Sequence, residues 1–94
     1  MKAESYVDAQ KFEDIPNVGP RIARDFKLLG FSHPGDLTGK DPFLLYTKLC
    51  TVTGKRQDPC VLDTFMAVID FMNGGIAKEW WRYTKERKRI YKDF

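Results

Sequence analysis

The run Phe12-Glu13-Asp14-Ile15-Pro16-Asn17-Val18-Gly19-Pro20-Arg21-Ile22-Ala23-Arg24-Asp25-Phe26-Lys27-Leu28-Leu29 decides the reading of this chain. Pro16 biases Ile15 away from helical backbone, so a first short helix closes near Asp14. Asn17 and Gly19 are residue types that reach left-handed or crowded conformations, as a tight hairpin over 16–20 requires. Pro20 carries the φ of a first helical position and lacks only an N–H that would be unpaired there. Beyond it, Ile22, Phe26 and Leu29 share one arc of a helix, and Arg21, Arg24, Asp25 and Lys27 the other.

Outward from this run the chain reads as helices. Asp8, Ala9, Phe12 and Ile15 predict a two-turn helix feeding the hairpin, with residues 1–7 frayed or loosely docked. Gly30 ends the helix after the hairpin. Residues 32–37 form a capped single turn anchored by Leu37. Asp41-Pro42 and Asp58-Pro59 are two strong helix starts, an N-cap acceptor followed by Pro. They predict helices over 42–50 and 59–73, the second a central post with Asp63 and Asp70 on its solvated side. A last helix is expected from Ile76 onward, and residues 85–94 form a basic tail. No β alternation runs for a useful length. The expectation is one all-α domain over 1–94, compact, of five or six helices.

Composition narrows the function. Ninety-four residues with 43% apolar and 31% charged content suit one soluble domain with its own core. No apolar run approaches a membrane span and no signal-peptide core is present, so the expected location is cytoplasmic. Residues 1–77 hold nine Lys/Arg against ten Asp/Glu, and residues 78–94 hold seven against three. The net +3 is therefore a property of the C-terminal end.

Catalysis finds little support. Asp63 and Asp70, seven residues apart on a helix, are separated by about 10 Å and do not form an acid–base pair. Phosphate-loop, zinc-protease and nucleophile motifs are lacking. Cys50 and Cys60 read as small apolar residues, and His33, alone of its type, as a local hydrogen-bonder. No cofactor or metal is expected.

The hairpin is the better site. A helix N-terminus gathers unpaired N–H donors and partial positive charge, which suits a phosphate oxygen. The candidate nucleic-acid contacts are Asn17, Val18, Gly19, Arg21, Ile22, Arg24 and Lys27. Trp80, Arg82, Lys85 and Arg87 form a secondary set, since aromatics beside basic residues can hold bases. Of the two tryptophans Trp80 and Trp81, one closes the core and the other lies half exposed. The same hairpin also serves as a packing corner in small helical domains, and that reading stands beside the first.

An apolar residue, Pro, a Gly-containing hairpin and Ala23 four residues past Gly19 resemble a helix-hairpin-helix motif. Together with Leu28-Leu29-Gly30-Phe31, Asp36-Leu37, Asp41-Pro42, Tyr46, Leu49-Cys50, Asp58-Pro59-Cys60-Val61-Leu62 and Trp80-Trp81, the order resembles one small bacterial family. It is the helix-hairpin-helix family of pathogenicity-locus or mitomycin-resistance proteins, and the match covers about residues 8–85. The resemblance implies an all-α, SAM-like fold and DNA binding through the amides of Asn17, Gly19, Arg21 and Ile22. One departure is that Asn17 stands where many such hairpins carry a first Gly. The expected function is a non-enzymatic, sequence-non-specific DNA-binding module, monomeric, with DNA phosphate as partner and no membrane role. The alternative is a SAM-like adaptor whose aromatic C-terminal helix contacts another protein.

Overall fold

The computed structural model describes residues 2–91; Met1 and residues 92–94, the end of the expected basic tail, lie outside the described residues. The described chain is all-α, without strands. It has four α-helices, α1 (Pro20–Leu28), α2 (Pro42–Thr53), α3 (Pro59–Met72) and α4 (Thr84–Ile90), joined by four short 3-10 turns. None is long and apolar enough to cross a membrane.

The two Asp-Pro signals act as expected. Asp41 accepts from the N–H of Phe43 at 2.9 Å, and Asp58 from that of Cys60 at 2.9 Å. Each carboxylate satisfies a donor that the first helical turn leaves unpaired. α2 runs one turn further than the expected 42–50 because nothing breaks it before Gly54, whose φ of 73° closes it. α3 matches expectation to within a residue.

α3 is the post around which the chain wraps. Phe65 stacks on Phe26 of α1 with ring centroids 5.2 Å apart, and Phe26 in turn meets Phe12 at 5.4 Å and Phe31 at 6.5 Å. This aromatic line ties the opening residues, α1 and α3 into one core, which Ile15, Val18, Leu37, Leu49 and Leu62 complete.

Three expectations are corrected. The two-turn helix over residues 8–15 is two 3-10 turns, Tyr6–Asp8 and Phe12–Asp14. The carboxylate of Asp14 takes the N–H groups of Gln10 and Lys11 at 3.0 and 3.1 Å, an alternative to helical bonding that holds the segment between the turns open. The helix expected from Ile76 begins only with the 3-10 turn Trp80–Tyr83, followed by α4. With α4 this gives four helices instead of five or six.

Third, the face of α3 that carries Asp63 and Asp70 is covered. Asp63 is 1% exposed and receives Arg87 Nε and Thr84 Oγ1, both at 2.6 Å; Asp70 receives the Tyr83 hydroxyl at 2.7 Å. The C-terminal segment folds back along α3 and brings its own partners for these carboxylates. Burial, then the Asp70 hydrogen bond, pushes the Tyr83 phenol well above its ordinary range.

Candidate nucleic-acid interface

The turn before α1 is built by an apolar pair. Ile15 and Val18 are fully buried, and the Val18 N–H donates to the Ile15 carbonyl at 3.1 Å. Between them Asn17 takes φ 74°, which Asn tolerates better than most residues. Gly19 does not need its freedom of φ. It sits at φ −98°, ψ −173°, ordinary extended backbone, and caps α1.

The consequence is a row of open donors. The first helical bond of α1 runs from Ala23 N–H to Gly19 C=O at 3.0 Å. The N–H groups of Asn17, Gly19, Arg21 and Ile22 have no protein acceptor among the described residues. A Cβ placed on Gly19 would meet nothing within 4 Å, so the space beside its Cα is open. Helix N-terminal polarity adds to the same spot.

The candidate side chains divide. Arg24 and Lys27 are exposed on the outer face of α1. Arg21 is held: its guanidinium donates to Gln57 Oε1 at 2.8 Å and lies 3.9 Å from Asp25, while 58% of the side chain stays exposed. Val18 is core, and Ile22 packs half-buried against it, so both offer backbone at most. In the secondary set Arg82 and Lys85 are exposed, and Arg82 makes a surface pair with Glu79 at 3.4 Å. Trp80 is half-buried against the core and Trp81 is 58% exposed, dividing as expected. Arg87 is 12% exposed along its side chain and pairs with Asp63.

Two contributors were not legible in the sequence. Lys2, expected in a loose end, places its ammonium on the carbonyls of Glu13 and Val18, a cation at the turn itself. Asn17 does more than bend the chain. Its Nδ2 donates to the Lys78 carbonyl at 2.7 Å and its Oδ1 accepts the Trp80 N–H at 3.1 Å. The turn and the aromatic segment are thereby clamped together across more than sixty residues of sequence.

Among the described residues Asp25 carries a buried polar atom left without a hydrogen bond. It is 6% exposed, and its Oδ2 has no hydrogen-bond partner. Burial raises its pKa above the ordinary 3.8, with Arg21 and then Arg24 opposing. The folded state thus holds this proton more tightly than the unfolded chain, and charge on Asp25 costs stability above the raised pKa. Asp25→Asn is expected to raise the melting temperature at pH 7, and the gain should fade as pH drops through the raised pKa toward 3.8. Melting curves across that range check it; a gain independent of pH would contradict it.

Elsewhere the local chemistry is structural. His33 Nδ1 accepts the Gly35 N–H at 3.0 Å, and Cys50 and Cys60 are free and half-buried. Among the described residues no group of His, Cys, Asp or Glu is arranged to hold a metal ion.

Residues 6–89 match the family model described as Cdd1, pathogenicity locus. The chain is also 40% identical over 83 residues to the mitomycin resistance protein McrB of Streptomyces lavendulae, an alignment covering 88% of this chain and 79% of that protein. Among solved structures, none matches. The match to the family model takes in the turn, all three long helices and the aromatic segment, and the chain belongs to the Cdd1 pathogenicity-locus family.

Proposed function

We propose that this chain is a non-enzymatic DNA-binding module that holds the phosphate backbone without regard to base sequence. In this reading the Phe12–Asp14 turn, the residues 15–19 and α1 are a helix-hairpin-helix motif in a SAM-like, monomeric, cytoplasmic domain. The observation that carries it is the set of four unpaired N–H groups around an unobstructed Gly19. A phosphate oxygen is the ligand that such a set of donors at a helix N-terminus suits best. Lys2, Arg24 and Lys27 add charge on the same side of the turn or along α1, and base-edge recognition has no evident device.

The alternative, a protein–protein adaptor, draws on the exposed Trp81 and Ile76. Gly19→Val separates the two. Valine is at home in extended backbone and meets no neighbour there, so the fold is expected to survive. Its branched side chain stands where the phosphate approaches. Affinity for a duplex should fall more than tenfold, about 1.4 kcal/mol. Circular dichroism confirms the fold in parallel. A folded variant that binds DNA like the parent would reduce the turn to a packing corner and leave the adaptor.

A further inference from the structure

We propose, resting on the phosphate-binding reading, that Trp81 is a stacking platform for an unpaired base, so that the preferred ligand is DNA with a single strand leaving the held phosphate. Trp81 combines three properties. It is exposed over 58% of its surface; its ring is buttressed edge-to-face by Trp80 at 5.7 Å and 85°; and Trp80 is itself seated against the core. The platform is therefore a buttressed plane, whereas the exposed Leu28, Leu44, Val52 and Ile76 are aliphatic and offer no flat face, and Tyr6, 42% exposed, stands in the opening 3-10 turn outside the Asn17 clamp.

The second observation is the Asn17 clamp. Both polar atoms of its side chain are spent on the backbone of Lys78 and Trp80, the residue before Trp81. Bond lengths along this route put the Trp81 Cα no more than about 12 Å from that of Asn17, a span of roughly two nucleotides. The donors for phosphate and the plane for a base are thus on one rigid unit. Charge fits the same occupant, since Lys78, Arg82 and Lys85 are exposed around Trp81. Glu79 is the opposing charge, and Arg82 neutralises it at 3.4 Å. Within a duplex the bases are stacked on one another, so away from the duplex ends it is an unpaired base that can use the plane.

The test is a titration by fluorescence anisotropy with three ligands: a blunt duplex, the same duplex with a short thymidine tail, and the same with a tail of abasic residues. The protein is expected to bind the thymidine tail about tenfold more tightly than the blunt duplex, as one stacked base allows. The abasic tail should lose that advantage. Trp81→Ala should bind all three like the blunt duplex, and Trp81→Phe should keep most of the preference. Asn17→Gly removes both side-chain bonds of the clamp, so it should lower the preference for the thymidine tail over the blunt duplex. Equal affinity for the thymidine and abasic tails, or a preference that survives Trp81→Ala, overturns the platform. The phosphate reading stands or falls separately, on whether Gly19→Val weakens the blunt duplex.

Discussion

Arg87→Ala is expected to destabilise the domain by about 3–5 kcal/mol, the cost of leaving a buried charge without its partner. Asp63 is almost wholly enclosed on α3, and Arg87 reaches it at 2.6 Å from α4. Removing the guanidinium leaves the carboxylate with the Thr84 hydroxyl from the C-terminal segment, too little to offset its lost hydration. Asp63→Ala should cost less, because Arg87, at 12% exposure, retains a route to water. Replacing both at once, Asp63→Leu with Arg87→Met, should recover most of the loss by removing both charges. Urea unfolding of the three variants measures this. A loss under about 1 kcal/mol for Arg87→Ala would show that the pair is solvated in solution and that α4 does not hold α3.

Phe65→Ala is expected to cost a similar amount, about 3–5 kcal/mol, by a different route. Phe65 is fully buried and stacks on Phe26, which contacts both Phe12 and Phe31. The cavity would open at the junction of α1, α3 and the opening turns, where stiff rings collapse poorly into a void. With domain stabilities commonly about 5–15 kcal/mol, either substitution consumes a large share. Phe65→Leu, which fills much of the volume, should be milder. A small effect of Phe65→Ala would mean that the aromatic line is not what fixes α1 on α3.

The same two residues mark what a sequence can and cannot disclose. Phe65 was legible because its periodicity with Leu62 and Ile69 is local, as were the Asp-Pro starts and the Asn17 turn. Asp63 was not. A helical wheel places carboxylates on the outer face unless something covers it, and what covers it comes from 21 and 24 residues away in Thr84 and Arg87. The burial of α3 on nearly every face from Val61 to Ile69 depends on that return of the chain.

The candidate site divides along the same line. The open amides follow from Pro16, Gly19 and Pro20, residues that act on their own backbone. Lys2 and the Asn17 clamp depend on partners up to 63 residues distant, and no pattern along the chain announces them. Asn17 illustrates the difference most clearly. Its residue type foretells a positive φ, yet the side chain's work is to fasten the Lys78 and Trp80 backbone. Asn in place of Gly at this position thus has a structural use beyond the turn itself.

The most direct test of phosphate binding is the salt dependence of duplex affinity for the parent protein and Gly19→Val. Each phosphate neutralised contributes about −0.9 to the slope of log affinity against log salt. If Lys2, Arg24 and Lys27 each meet a phosphate, the parent slope should be near about −2.7. Gly19→Val should lie more than about tenfold below the parent at low salt. A parent affinity indifferent to salt, or a Gly19→Val line superimposed on the parent's, would contradict phosphate capture by this turn.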